Sequence, residues 1–522
     1  MKPLNEENSR MLFSNRVFGA EIVCPPYLKD VTAEILKKCG GLPLAIITIA
    51  SLLATQVRSM KHWESIRKSL RVQSAPNPSL KDIQNILNLS YTHLPLHLRA
   101  CFLYLGMYAE DHIIRRDQLV KQWIAEGFVS SLHGPDLEDV GRSYFNELVN
   151  RSMIQPCKTS YGEVLSCTVH DMMLDLILCK CVEDNFISLA YNSEDIARLL
   201  HRCKNKVRRL SLSSMAVGGA TYDTAIAARL SQVRSLLFNK PILPLLWFKY
   251  LRVLIIYNRW GMIDLTAVSQ LFQLRCLMVS SDGKIKLPTK LGELVYLETL
   301  DIETCELCMS GLTKVDALAC SIGKLCNLES LFISGIHVER EDSQQLGSLS
   351  NPFRHIEHLE LSFWRLWRVP KWLCGLHCLR NLKLYVEMTS TQDVHLLGEL
   401  PSLVRLEFRA CEIPGQRAML GTGLFPVLEF LNLWSRKDTT AYLGFEAGAM
   451  PSLQTLWFSA SNWGGTVSVG MEHLLHLQEI QVHAVCISKD SVDRLKEAED
   501  AFKEALLMHP NHPSVIIVLP EK

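Results

Sequence analysis

Neither sign of charge is in surplus in this chain. Its 522 residues carry 55 Lys+Arg against 54 Asp+Glu, a formal net charge of +1 with His neutral. So balanced a chain has no overall field with which to grip a nucleic acid or an anionic membrane surface. Long apolar runs are missing as well. The most apolar stretch, Leu42 to Ala54, is 13 residues and includes Thr48 and Ser51; it is too short to cross a bilayer and reads as a buried helix. The opening residues, MKPLNEENSR, hold no apolar segment of the kind a secretory signal requires. The 17 cysteines are odd in number and scattered, unlike a disulfide framework. With 48% hydrophobic and 21% charged residues, the chain can still bury substantial cores. The expectation is a soluble, cytoplasmic protein with reduced thiols and no membrane span.

Catalytic motifs are equally scarce. A phosphate loop needs G-x-x-x-x-G-K-[ST], because glycine amides cradle the phosphates while Lys and the hydroxyl handle charge and magnesium. The Gly-Lys pairs here are Gly283-Lys284, followed by Ile285, and Gly323-Lys324, followed by Leu325; neither supplies the hydroxyl. H-E-x-x-H, G-x-S-x-G and kinase signatures do not occur. Cys305-Glu306-Leu307-Cys308 is a C-x-x-C without a second pair at zinc-site spacing. The plainer reading is a buried repeat cysteine: Cys305 falls eight residues after Leu297, and Cys411 eight after Leu403. No enzyme activity and no metal site are expected.

Apolar spacing divides the chain in two. Over roughly the first 200 residues it is helical. Asp30 to Lys38 is amphipathic and stops at Gly40-Gly41, a helix begins near Pro43, and another covers His62 to Leu70. Ser74 to Pro78 reads as a linker. Helical segments from Ser79 to Gly127 are split at Leu94-Pro95. A helix at Ser143 to Ser152, a strand segment near Val164 to Val169 and a helix from His170 to Cys181 complete the outline of a winged helix. Such a fold can place a helix in the major groove of DNA. Its cations Arg115, Arg116 and Lys121 are interleaved with Asp117 and Glu126, too mixed for a phosphate-tracking face. They read as a solvated helix surface, with no specific nucleic acid as partner.

From Val207 onward the pattern becomes L-x-x-L-x-L. It recurs at Leu251/Leu254/Ile256, Leu274/Leu277/Val279, Leu297/Leu300/Ile302, Leu328/Leu331/Ile333 and Ile356/Leu359/Leu361, then at Leu379, Leu403, Leu428, Leu453 and Leu477. Degenerate copies precede it at Val207/Leu210/Leu212 and Val233/Leu236/Phe238. Successive steps from Leu251 are 23, 23, 31, 28, 23, 24, 25, 25 and 24 residues, mostly within the roughly 20–29-residue window of leucine-rich repeats. One repeat cannot bury its leucines alone, so the repeats must stack into a curved parallel sheet. Val492 to Met508, an amphipathic helix, and the apolar Pro513 to Leu519 would cap its end. The fold class expected is therefore multidomain α+β: a helical part over 1–76, a winged-helix domain over 77–200, and an α/β leucine-rich-repeat solenoid with its cap over 201–522.

Several of these segments match motifs. Cys39 to Ala45 (CGGLPLA) resembles GLPLA; Cys101 to Asp111 with Trp123 to Phe128 resembles a winged-helix motif; Val169-His170-Asp171 resembles MHD with Val for Met; Leu12-Phe13 resembles the opening of a first helical subdomain. Together, and followed by the repeats, they resemble the plant disease-resistance receptors of the coiled-coil class, with a nucleotide-binding (NB-ARC) module and leucine-rich repeats. The resemblance implies an intracellular immune receptor whose repeats sense a pathogen effector or a guarded host protein and control an ADP/ATP switch. It implies that the Pro of GLPLA packs on adenine and the MHD His reaches the β-phosphate, here Pro43 and His170. The plainer reading is that Pro43 starts a helix and His170 caps one. The family's phosphate loop and signalling domain would precede residue 1, so the chain reads as N-terminally truncated. No ATP hydrolysis and little or no ADP binding are expected of it. A non-switching repeat protein that binds partners or acts as a decoy is the alternative.

Strand alternation turns the residues between the repeat leucines toward the inner, concave face. The residue after the third apolar position runs Ser362, Tyr385, Arg409, Trp434, and the position two earlier runs Glu360, Lys383, Glu407, Asn432, Trp457. Aromatic and Arg side chains dominate binding hot spots. Tyr385, Arg409, Trp434 and Trp457 are therefore the candidate protein-binding patch. Ordinary cross-strand stacking on an exposed sheet explains the same residues equally well.

Overall fold

The computed structural model describes the chain apart from residues 1–2, 20–23, 55–59, 71–79, 131–135, 161–162, 192–194, 196–206, 213–227, 229, 240–242, 259–260, 310–320, 335–352, 414, 436–438, 460–464, 484–488, 508 and 519–522. Two compact units result, residues 1–238 and 239–522. The first two repeat strands thus belong with the helices. The change of apolar period near 201 and the division into compact units are different boundaries.

The first unit opens with a helical bundle: α1 (Glu6–Phe18), α2 (Lys29–Cys39), α3 (Pro43–Ala54) and α4 (Met60–Ser69). Asn5 caps α1 by accepting a 2.8 Å hydrogen bond from the Asn8 amide. Gly40, left-handed at φ +59°, closes α2. The apolar α3 buries Ala45, Ile46, Ile49, Ala50, Leu52 and Leu53 around Phe13, Ile35 and Trp63. Trp63 meets Phe13 edge-on at 6.0 Å and stacks on Phe18 at 6.1 Å.

After α5 (Leu80–Thr92) come α6 (Leu96–Tyr104), β1 (Ile114–Arg115), α7 (Arg116–Glu126), α8 (Leu137–Asn150), β2 (Gln155–Ser160), β3 (Glu163–Thr168) and α9 (Asp171–Glu183). The sheet order β1-β3-β2, antiparallel throughout, is the wing. Helix α8 starts six residues earlier than its apolar spacing suggests, because Asp136 supplies the N-cap, its carboxylate accepting from the Glu138 amide. Gly141 lets α8 approach α7: a Cβ there would lie 2.5 Å from Val120 Cγ1. Gly141→Ala is therefore expected to cost about 1–3 kcal/mol by overpacking, seen as a lower midpoint for the winged helix in thermal melting. An unchanged midpoint would mean that Val120 moves freely.

Three short parallel strands, β4 (Ser188–Ala190), β5 (Arg209–Leu212) and β6 (Ser235–Phe238), complete this unit, with Leu210 opposite Leu236 and Leu212 opposite Phe238.

The second unit is the solenoid. Its parallel strands β7 (Val253–Asn258), β9 (Cys276–Leu287), β10 (Thr299–Met309), β11 (Ser330–Ser334), β12 (His358–Leu366), β13 (Asn381–Met388), β14 (Arg405–Glu412), β16 (Phe430–Ser435), β18 (Thr455–Ser459), β19 (Glu479–His483) and β20 (Ser514–Val518) follow chain order; β8 (Ile263–Asp264) pairs with β9, and β15 (Ala418–Leu420) with β17 (Leu443–Phe445). The repeat leucines stand in register. Leu254, Leu277, Leu300, Leu331, Leu359, Leu382, Leu406, Leu431, Leu456 and Ile480 form one ladder, and all are buried. Each such side chain contributes roughly 1.5–3 kcal/mol of transfer free energy. The two long steps, after Leu297 and Leu328, include residues 310–320 and 335–352, outside the described set. Short α10 (Thr391–Gly398) returns between β13 and β14, and α11 (Lys489–Ala505) lies between β19 and β20.

Candidate functional site

Two stretches of inner face differ in what lies on them. In the first unit, β5 and β6 turn Leu210, Leu212, Leu236 and Phe238 to the repeat core, so Arg209, Ser211 and Ser235 point to the opposite side. There they meet the winged helix. Arg209 Nη2 donates to Glu126 Oε2 at 2.8 Å, the two side chains 8% and 0% exposed. Ser235 Oγ donates to the other Glu126 oxygen, and Ser211 Oγ donates to the Met107 carbonyl at 2.7 Å. Tyr104 and Ser235 hydroxyls are 3.3 Å apart. The Arg209 guanidinium lies 4.1 Å from the Phe186 ring centroid and 4.8 Å from that of Phe128. Gly127, left-handed at φ +85°, ends α7 so that Glu126 and Phe128 both reach this contact.

This corrects the reading of α7 as a solvated surface. Arg116, Lys121 and Glu126 are all buried. Each is paired: Arg116 with Asp117 and Glu163, Lys121 with Glu138 at 2.9 Å, and Glu126 with Arg209. Flanking cations Arg116 and Arg142 overcome the partial desolvation of Asp117 and hold its carboxyl below the ordinary range. Arg115 and Asp117 are exposed, as a solvated surface would have them, whereas Glu126 is buried against Arg209 of β5 and not against its basic neighbours on α7.

Pro43 occupies the first turn of α3 and is half-buried. Before it, Gly41 sits at φ +74°, where a Cβ would lie 2.5 Å from the Leu4 carbonyl oxygen, while the Leu4 amide donates to the Gly41 carbonyl at 2.7 Å. The glycines of this motif therefore fix a close crossing of the N-terminal strand of chain over the start of α3. His170 is the N-cap of α9, its Nδ1 accepting from the Met172 amide at 3.3 Å. The two residues begin separate helices, one in the bundle and one in the winged helix.

In the second unit, inner-facing Val253, Ile255, Cys276 and Met278 of β7 and β9 are buried, and the inner face opens with half-buried Asp301 and exposed Glu303 on β10. Farther along, Tyr385, Arg409 and Trp434 are direct neighbours in one row. Arg409 is exposed, with its guanidinium 5.9 Å from the Trp434 centroid, and the Tyr385 hydroxyl lies 3.0 Å from Cys411 Sγ. Trp457 stands in the adjacent row, opposite Asn432 and Gln481. It packs edge-on against Phe430 at 5.0 Å and lies 4.6 Å from His483, whose pKa burial holds below the ordinary histidine range. Arg405 covers Phe430 at 4.2 Å. The four expected residues thus form two neighbouring clusters, the second of which adds Arg405, Phe430 and His483. Strand alternation already implied a third inner row through Arg405 and Phe430, one position before the second repeat leucine. The side chains of Ser362, Cys305 and Cys308 lie outside the described residues. Cys411 is buried. Among the described residues no cluster of His, Cys, Asp and Glu could hold a metal, and no helix is long and apolar enough to cross a membrane.

Comparison with known proteins follows this division. A family model for the disease resistance protein winged helix domain matches residues 107–177, and one for a leucine-rich repeat region matches 306–515. Disease resistance protein RGA5 of Oryza sativa subsp. japonica is 35% identical over 98% of this chain and 53% of its own length. Disease resistance protein PIK6-NP, also of Oryza sativa subsp. japonica, is 34% identical over 92% of the chain and 58% of itself. The chain spans about half the length of these curated relatives.

Proposed function

The chain belongs to the plant disease-resistance proteins, and from that premise we propose that its open inner face binds a protein, a pathogen effector or a guarded host protein, inside the plant cell. The winged helix, seated on β5 and β6 through Arg209 and Glu126, is the element that a bound partner would act upon. The observation that carries this reading is the row Tyr385, Arg409, Trp434. Aromatic and Arg side chains stand side by side there on a rigid sheet, the composition of a protein-binding hot spot.

A photo-crosslinking residue placed at position 434 or 457 of the full chain, expressed in leaf tissue, tests it. One discrete protein adduct shared by both positions and absent at Val427, an exposed residue in the turn before β16, is the expected result. Adducts that do not distinguish 427 from 434 would refute the binding face.

Pro43 and His170 are the positions that would touch adenine and the β-phosphate in a receptor whose ADP/ATP switch is intact. Without a G-x-x-x-x-G-K-[ST] in these 522 residues, the amides and Lys that hold phosphates are not supplied. A second reading is a partner-binding protein that does not switch. Equilibrium dialysis of the purified chain against ADP is expected to give no saturable binding at micromolar nucleotide. ADP that stays with the chain through gel filtration would overturn this expectation. An in-frame phosphate loop upstream of Met1 in the native transcript would favour the switching receptor over the second reading.

A further inference from the structure

We infer that the row Tyr385, Arg409, Trp434 receives an acidic side chain of the partner set beside an apolar one; this rests on the reading that the open inner face binds protein. The neighbouring inner row already has its cation engaged by acids. Lys383 lies between Glu360 at 3.0 Å and Glu407 at 3.7 Å, and Glu479 accepts from Gln481 Nε2 at 2.7 Å. Arg409 is exposed and makes no ion pair among the described residues. On its far side β16 (FLNLWS) and β18 (TLWFS) contain no charged residue at all. Arg409 is thus an exposed cation at the border between a row of charged residues and an aromatic surface. The guanidinium fork matches a carboxylate in bidentate geometry. Tyr385 on one neighbouring strand and Trp434 on the other offer ring surface to the residues flanking that carboxylate. Strands about 4.8 Å apart put the two rings roughly 10 Å from each other, the reach of about three residues of an extended segment. The fitting ligand is a protein segment with Asp or Glu within about three positions of an aromatic or aliphatic residue.

Panning the full chain against a random linear peptide library tests this. Enriched peptides are expected to carry that acidic–apolar pairing. Their binding should weaken roughly tenfold or more in Arg409→Gln and in Trp434→Ala. Replacing the peptide's acid by its amide should weaken binding to the parent chain and change little in Arg409→Gln. Added salt should likewise weaken the parent complex more than the Arg409→Gln complex. Peptides that depend on Trp434 but carry no acid, or that ignore Arg409→Gln, would overturn the acidic-partner inference and leave the binding face standing. Peptides insensitive to every inner-face substitution would overturn both. Both positions are on the solvent side of the sheet, and a melting midpoint equal to that of the parent chain checks that each variant is folded.

Discussion

Glu126→Ala is expected to destabilise the first unit by about 3–5 kcal/mol, the usual cost of removing one partner of a buried ion pair. The substitution strands the Arg209 guanidinium, whose side chain is 8% exposed. Its remaining contacts are the Phe186 carbonyl and the rings of Phe128 and Phe186. It also takes the acceptor from the Ser235 hydroxyl. Glu126→Gln keeps a carbonyl acceptor near Ser235 but still leaves the cation unbalanced, so an intermediate loss is expected. The informative variant is the pair Glu126→Leu with Arg209→Met. Apolar replacement of both partners of a buried pair is often neutral or better, so the double variant should recover most of the loss. Amide hydrogen exchange reads the result locally: α7, β5 and β6 should lose protection in Glu126→Ala and regain it in the double variant, while β13 to β16 stay unchanged. A loss below about 1 kcal/mol would place Arg209 in contact with solvent and remove the contact as a means of holding the winged helix on the repeats.

The repeat half was legible because one physical requirement, burial of a leucine ladder, leaves the same mark in every repeat. The spaced triplets became two ladders in register, and the degenerate copies at Leu210 and Leu236 became β5 and β6. Helix ends were readable wherever the stop is local, as at Gly40, Pro43 and Gly127. What could not be read was pairing between distant segments. Glu126 and Arg209 are 83 residues apart, and nothing in either neighbourhood announces the other, so a buried charge looked like a solvated one. Gly106 is similar. A Cβ there would lie 2.9 Å from Ile177 Cγ2 on α9. The absence of a side chain there allows close packing with a distant helix. The patch was legible as a composition and illegible as a geometry. The register that separates Trp457 from Trp434 depends on which residues face each other, and the strands carry a third inner row through Arg405 and Phe430.

Phe502→Ala should have the other large effect, about 3–5 kcal/mol for a fully buried aromatic, confined to one end of the solenoid. Phe502 on α11 is fully buried and stacks on Phe458 of β18, with ring centroids 5.7 Å apart; Ala498 and Leu506 of the same segment are buried beside it. The last described turn is tied down as well. His509 Nε2–H donates to the Leu474 carbonyl at 3.1 Å, and its Nδ1 accepts from the Asn511 amide at 3.2 Å. Each repeat is stabilised chiefly by its neighbours, so damage at the cap should fray inward by steps. Hydrogen exchange of Phe502→Ala is expected to show protection lost in β19 and β20, reduced in β18, and little changed by β13. Loss that is uniform from β7 to β20 would show that the unit unfolds all at once, and would sink the nearest-neighbour account. If the gradient appears, the cap and the partner-binding row are coupled only weakly. A variant could then lose the end of the sheet and still present Tyr385 and Arg409 in their native places.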